Sequence, residues 1–256
     1  MSERSGYQHG VPCWVDTWQA DPDAALPFYE AVFGWDAQVG PEYVMFRLHG
    51  ADVAGLGSPP PEGLRPAWTT YVWVDDVDDA VARAQAAGGS VEAEAFDSLE
   101  GGRIAILADP AGAPFAVWQP GEHRGARRVN EPSAYTMSML LTPDPEGAEA
   151  FYGAVFGWTT EAFGPATMFR LPGFVGGEPL QPASREVVAT MMPSDGEARW
   201  AVEFWIADAD AAARAATERG GRVLDGPSDA PPFRRAVLAD PAGAEFSVSQ
   251  LVIPPS

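Results

Sequence analysis

Phe28-Tyr29-Glu30-Ala31-Val32-Phe33-Gly34-Trp35 decides the fold, because it returns as Phe151-Tyr152-Gly153-Ala154-Val155-Phe156-Gly157-Trp158. Seven of eight positions are identical at an offset of 123 residues. A second pair, Ala108-Asp109-Pro110-Ala111-Gly112-Ala113 and Ala239-Asp240-Pro241-Ala242-Gly243-Ala244, recurs at an offset of 131 and in the same order. Two echoes in one order make the chain an internal duplication.

Outward from the first octet, residues 11–18 read as a strand rich in Val, Trp and Thr. Asp21 offers an N-cap and Pro22 a first helical position, so a helix begins there and carries the octet. Ala25, Phe28, Tyr29, Val32 and Phe33 share one face, and Gly34 supplies the left-handed residue that stops the helix. Pro27 lacks a backbone donor and predicts a kink or a late start, whereas the second copy has Ala150 there. Strands follow at 43–48 and 52–56, then a proline-rich connection at 58–66. A strand at 68–74 leads to a helix at 75–87, stopped by Gly88-Gly89, and to strands at 90–95, 103–108 and 114–119. The scheme is strand, helix, three strands, twice in each half, which gives an α+β protein of four βαβββ modules. Residues 1–119 form one domain, 120–133 a linker containing the basic tract Gly121-Glu122-His123-Arg124-Gly125-Ala126-Arg127-Arg128, and 134–256 the second domain. The basic tract should pack on its acidic neighbours.

The 256 residues suffice for two hydrophobic cores, and 46% hydrophobic with 20% charged residues is the composition of a globular protein. No apolar run reaches the length of a membrane helix, and residues 1–10 lack the apolar core of a signal peptide, so a cytoplasmic location is expected. A net charge of -20 excludes nucleic acid as the expected partner. All 16 basic residues are Arg, which removes Schiff-base and lysine-base chemistry. Cys13 has no disulfide partner and reads as a buried thiol. There is no Gly-x-Ser-x-Gly, no phosphate loop and no dinucleotide fingerprint.

The Asp-Pro-capped helix with Phe-Tyr-x-x-Val-Phe-Gly-Trp, followed by Val74-Asp75-Asp76-Val77-Asp78-Asp79-Ala80 and Asp-Pro-x-Gly-x-x-Phe, resembles the vicinal oxygen chelate superfamily. That superfamily includes glyoxalase I, extradiol dioxygenases and bleomycin-resistance proteins. The opening Gly10-Val11-Pro12-Cys13-Trp14-Val15-Asp16-Thr17 and the double-domain length are similar to a group of bacterial glyoxalase-like proteins to which a hydroxylase label is sometimes attached. The resemblance implies two cups, each a curved sheet made of two modules and holding a ligand on its concave face. It also implies metal ligands, His or Glu, at set strand positions. Those positions fall on Trp14, Thr69 and Ala116 in the first half and on Met137, Ala201 and Ser247 in the second. The remaining position lies on the strand of Phe46, or near Phe169, where neither Met45 nor Arg47 is a ligand. No metal and no cofactor is therefore expected, and His9, His49 and His123 are expected at the solvent-exposed surface.

Strand alternation places Trp14, Asp16, Trp18, Thr69, Tyr71, Trp73, Ala116 and Trp118 on one face of the first sheet. On the second sheet it places Met137, Met139, Leu141, Ala201, Glu203, Trp205, Ser247 and Ser249, with Met168, Met191 and Met192 nearby. Such walls suit a sizeable apolar or aromatic ligand, and they also suit two domains that bury these faces against each other. Asp16 and Glu203 are the informative residues, since a carboxylate on an apolar wall is costly unless paired or used. They either pair with Arg, such as Arg47 or Arg170, or bind a cationic group or act as a general base. The leading expectation is a metal-independent binder that sequesters an aromatic or cationic natural product, working as a monomer or homodimer. The alternatives are a cofactor-free isomerase, cyclase or lyase of secondary metabolism using Glu203 or Asp16 as base, and a metal-dependent glyoxalase or dioxygenase.

Overall fold

The computed structural model describes residues 2–58, 66–98, 101–176 and 185–252; positions 59–65 of the proline-rich connection lie outside them. The first half contains β1 (Ser2–Glu3), β2 (Pro12–Trp18), α1 (Pro22–Phe33), β3 (Asp36–Val39), β4 (Tyr43–Leu48) and β5 (Ala51–Gly57). Its second module is β6 (Trp68–Trp73), α2 (Val77–Ala86), β7 (Ser90–Ser98), β8 (Gly102–Ala108) and β9 (Pro114–Gln119). After β10 (Arg128–Val129) come β11 (Tyr135–Thr142), α3 (Pro145–Phe156), β12 (Thr159–Phe163), β13 (Ala166–Arg170) and β14 (Val187–Pro193). The last module is β15 (Arg199–Trp205), α4 (Ala209–Glu218), β16 (Arg222–Ala230), β17 (Phe233–Ala239) and β18 (Glu245–Leu251).

Two eight-stranded sheets result, ordered β3-β4-β5-β2-β6-β9-β8-β7 and β12-β13-β14-β11-β15-β18-β17-β16. Each is built from consecutive modules, so each cup forms within its own half. Parallel pairs β2–β5, β6–β9, β11–β14 and β15–β18 alternate with antiparallel ones, which makes both sheets mixed.

The octet helices form as the sequence dictates. Asp21 and Asp144 accept from the amides of Ala24 and Gly147 at 3.2 and 3.0 Å, and Gly34 and Gly157 close the helices at φ 71° and 73°. α1 runs unbroken from Pro22 through Pro27, without the late start that the proline suggested. The strands after the octets, β3 and β12, are fully exposed edge strands. β3 alternates polar and apolar over only four residues and β12 has no such alternation, so the sequence reading places no strand at either.

The two aromatic helices sit between the halves. Tyr29 packs on Phe46 and Trp68 of its own half and on Phe246 of the other, while Phe33 meets Phe204 at 4.9 Å between ring centroids. In the mirror arrangement Phe151, Tyr152 and Phe156 surround Phe115. The domains therefore meet back to back through their convex faces, and the cups point away from each other. Each fully buried Phe or Tyr contributes about 1.5–3 kcal/mol to holding this seam together.

The linker is more structured than its composition suggests. β10 pairs with β1, and Arg127 approaches Glu3 of the first domain at 3.6 Å, whereas Arg128 forms its ion pair with Glu131 inside the linker at 2.7 Å.

Candidate functional site

The first cup is closed. Trp14 faces Tyr71 across β2 and β6, Asp16 faces Thr69, and Tyr71 lies beside Ala116 and Trp73 beside Trp118, so alternation put these side chains on the correct face. Yet Trp14, Asp16, Tyr71, Trp73, Ala116 and Trp118 are all buried, and only Trp18 and Thr69 reach solvent at one end. The open aromatic cleft expected from the sequence is filled by its own rings. Space for them comes from β5, where a Cβ on Gly55 or Gly57 would overlap the Tyr43 hydroxyl or the Trp18 ring. Trp73 is further covered by Tyr7, at 6.0 Å between ring centroids.

Asp16 sits at the centre, 2% exposed. Its Oδ2 accepts from the hydroxyls of Tyr71 at 2.9 Å and Tyr43 at 3.0 Å, and Trp14 Nε1 donates to the Tyr43 hydroxyl at 3.0 Å. Desolvation raises its pKa to about 7, against the lowering effect of the two tyrosine hydrogen bonds. Tyr43 is the member of this network that the sequence reading missed. It lies opposite Gly57 on β4, and extending the alternation to that strand would have found it.

His123 corrects the expectation of exposed histidines. Its ring stands edge-on to Trp14 at 4.5 Å and to Trp118 at 5.6 Å, and its carbonyl accepts from Trp118 Nε1 at 3.2 Å. Burial lowers its pKa. His49 is exposed, while His9 is half-buried and accepts from the Asp75 amide through Nδ1 at 3.3 Å.

The second cup is open. Met137, Met139, Leu141, Ala201, Glu203, Trp205 and Ser247 are all half-buried. A cavity of about 1160 Å³ is lined by Met139, Leu141, Ala201, Glu203 and Ser247 from this face. Met137, Trp205 and Ser249 are not among its described lining residues. Met137 borders a separate hollow of about 50 Å³ with Arg4 and Tyr7, and Ser249 is fully buried behind Glu203. Met168 is buried on the cup face opposite Thr190, whereas Met191 points the other way into the core and cannot line the cup.

Glu203 is paired, but not with the arginines expected. Its Oε2 accepts from Arg235 Nη2 and its Oε1 from Ser249 Oγ at 2.8 Å. Arg47 is taken by Asp52 at 2.7 Å, and Arg170 by Glu161 and Glu186. Arg235 lies opposite Ser249 on the neighbouring strand, so the same alternation carried one strand further identifies it. The cavity continues past Val237, Asp225 and Ser228 to both Asp-Pro-Ala-Gly turns, whose Ala111, Gly112, Ala242 and Gly243 line it together with Pro66 and Ala67. Glu197, Asp225 and Glu245 give its rim an acidic bias against Arg199, which approaches Glu245 at 3.9 Å.

The donor set at the family's metal positions does not fit a divalent ion. Trp14, Thr69 and Ala116, and Met137, Ala201 and Ser247, supply no imidazole or carboxylate. Met45 shares the cup face with Tyr43, and Arg47 is tied to Asp52. Among the described residues no group of three His, Cys, Asp or Glu side chains converges elsewhere.

Residues 14–117 match the family described as Glyoxalase/Bleomycin resistance protein/Dioxygenase superfamily, and residues 134–249 match the family described as Glyoxalase-like domain. The chain is 39% identical to "Putative glyoxylase CFP32" of Mycobacterium tuberculosis over 258 residues, covering 97% of each. It is 35% identical to "Anthracycline biosynthesis protein DnrV" of Streptomyces peucetius over 263 residues, covering 94% of each. Among solved structures, a Mn(II)-bound glyoxalase from Novosphingobium aromaticivorans shares the fold with a TM-score of 0.65 at 18% identity, over 96% of this chain and 84% of that one. The 2,3-dioxygenase LapB from Pseudomonas sp. KL28 does so with a TM-score of 0.64 at 14% identity, over 98% and 96%. Two mixed sheets of identical strand order, two matching domains and end-to-end relatives agree: the chain belongs to the glyoxalase/bleomycin resistance protein/dioxygenase superfamily.

Proposed function

We propose that the protein binds a sizeable aromatic organic molecule, preferentially one carrying a positive charge, in the C-terminal cup, and holds it without a metal ion. The carrying observation is the cavity of about 1160 Å³, whose walls combine Met139, Leu141 and Val237 with the Glu203–Arg235 pair and an acidic rim. A volume of that order accommodates a polycyclic ligand, methionine adapts to its outline, and the net charge of -20 attracts a cation. Two relatives are named for anthracycline biosynthesis, which makes aromatic natural products the compounds to screen first. Sequestration fits better than acid–base chemistry at Glu203, because both its oxygens already accept hydrogen bonds and its charge is matched by Arg235.

A thermal-shift screen with aromatic amines and their neutral counterparts tests the reading, since a ligand that binds only the folded state raises its melting temperature. Hits are then incubated with the protein and weighed by mass spectrometry. Stabilisation by the cation, with its mass unchanged, supports a binder; a changed mass favours the enzymatic alternative. Stoichiometric divalent metal in the purified protein would overturn the metal-independent part.

A further inference from the structure

Two buried polar atoms of the first cup lack a hydrogen-bond partner among the described residues: Oδ1 of Asp16 and Nε2 of His123. Both residues belong to one aromatic assembly, because the Trp14 ring that His123 touches donates to the Tyr43 hydroxyl, which donates to Asp16. An orphaned buried carboxylate oxygen costs folding free energy, and nothing in the C-terminal binding reading requires it. We propose that the N-terminal cup is a second binding site, selective for a small organic cation, and that the linker stretch 121–128 is its displaceable cover.

The case rests first on what surrounds Asp16. Oδ2 is satisfied by two tyrosine hydroxyls, whereas Oδ1 has no donor. Trp14, Trp18, Tyr43 and Tyr71 are in contact with this carboxylate or with each other, and Trp118 closes the side toward the linker. A carboxylate ringed by aromatic side chains recognises an ammonium group twice, by charge and by the negative ring faces. A neutral ligand would leave Asp16 either protonated or as an uncompensated buried charge.

The second support is the cover itself. His123 places its imidazole against Trp14 and Trp118, so the chain already seats a small nitrogen heterocycle within the cup. Burial disfavours the charged imidazole, which leaves that seat filled by a neutral ring. A cation with a pKa well above 7 offers the carboxylate the charge that His123 does not. The cover is tied down at both ends. At one, the Glu122 amide donates to the Gly101 carbonyl at 2.7 Å. At the other, the Ala126 amide donates to the Cys13 carbonyl at 2.8 Å, the Arg127 amide to the Asp52 carbonyl at 2.7 Å, the Tyr7 hydroxyl to the Ala126 carbonyl at 2.6 Å and the Arg4 amide to the Arg127 carbonyl at 2.8 Å. That leaves the Trp118 Nε1 bond to the His123 carbonyl at 3.2 Å in the span that carries the ring. Residues 123–125 cross between these tacks.

The test uses the full-length protein and benzylamine, whose ring stands in for the imidazole and whose aminomethyl arm extends beyond it, with benzyl alcohol as the neutral match. Binding is read by calorimetry and tryptophan fluorescence, and folding of each variant by circular dichroism. His123→Ala removes the seated ring, so benzylamine should bind it at least tenfold more tightly than the parent. Adding Asp16→Asn should abolish that gain, and benzyl alcohol should bind neither variant. A second readout avoids variants: saturating benzylamine should accelerate amide exchange of residues 121–128 in the unmodified protein. The proposal is overturned by amine affinity unchanged in His123→Ala, by binding that survives Asp16→Asn, by equal affinity for the alcohol, or by exchange of 121–128 that amine leaves unchanged.

Discussion

Tyr29 donates its hydroxyl to Oδ2 of Asp240 at 2.7 Å, joining the first octet helix to the Asp-Pro-Ala-Gly turn of the opposite half. Tyr152 does the same to Asp109 at 3.1 Å, so the two most repeated stretches of the chain hold each other crosswise. The bonds are not equivalent. Asp240 Oδ2 also accepts from Gln19, whereas the Tyr152 hydroxyl is both the donor to Asp109 Oδ2 and the acceptor for Trp200 Nε1 at 2.9 Å. Tyr29→Phe should cost about 1 kcal/mol of unfolding free energy, and Tyr152→Phe, which orphans two buried groups, about 2–3 kcal/mol. Urea denaturation of the two variants side by side checks the order.

The proton on Asp16 makes a prediction of definite sign. Folded Asp16 keeps its proton to about pH 7, whereas the unfolded chain releases it near pH 4. Between those values the folded state binds one proton more, so this residue's contribution to stability falls as pH rises from about 4 to about 7 and is level above. A separation of about 3 units corresponds to at most about 4 kcal/mol. Asp16→Asn should lack the slope, and its stability relative to the parent should rise between pH 5 and pH 8. Urea midpoints at four pH values across that range measure the difference, and a difference independent of pH would contradict it.

Gly55 is held small by Tyr43. A Cβ there would displace the hydroxyl that bonds Asp16, so Gly55→Ala should destabilise by about 1–3 kcal/mol through overpacking. The same substitution at Gly50, in an open turn with nothing near its Cβ position, strains only a backbone at φ 78°. Quenching of intrinsic tryptophan fluorescence by iodide should increase for Gly55→Ala, as Trp14 loses its acceptor, and stay at the parent value for Gly50→Ala.

Removing Arg235 tests the pair in the open cup. Arg235→Met leaves the Glu203 carboxylate with Ser249 alone, and a loss of about 1 kcal/mol is expected because the arginine is partly solvent-screened. The double change Arg235→Met with Glu203→Gln should recover most of it. Thermal unfolding of the four proteins forms the cycle, and additive losses would show that the two residues do not act together.

Much of this fold is legible in the sequence because its signals are local. Asp21 and Gly34 cap α1 where the pattern puts them, and alternation places Trp14, Asp16 and Glu203 on concave faces. What failed to show is tertiary. Asp36-Ala37-Gln38-Val39 alternates over four residues only, too short a run to stand out, and with all four exposed no buried face fixes it. His123 lies in a polar, glycine-flanked tract, and only the path of the linker across Trp118 buries it. Whether a wall of aromatic side chains is an open cleft or a filled one depends on such coverage, so Trp14 and Met139 look equally available in the sequence and differ in the folded chain.

The back-to-back seam makes the duplication a ratchet. Phe115 packs against α3 of the second half, and Phe204 and Phe246 pack against α1 of the first. Cut at the linker, neither half would keep a dry reverse side, and both would seek another surface to cover it. The two copies act as a heterodimer in one chain, whose cups can differ because the partner behind each is guaranteed.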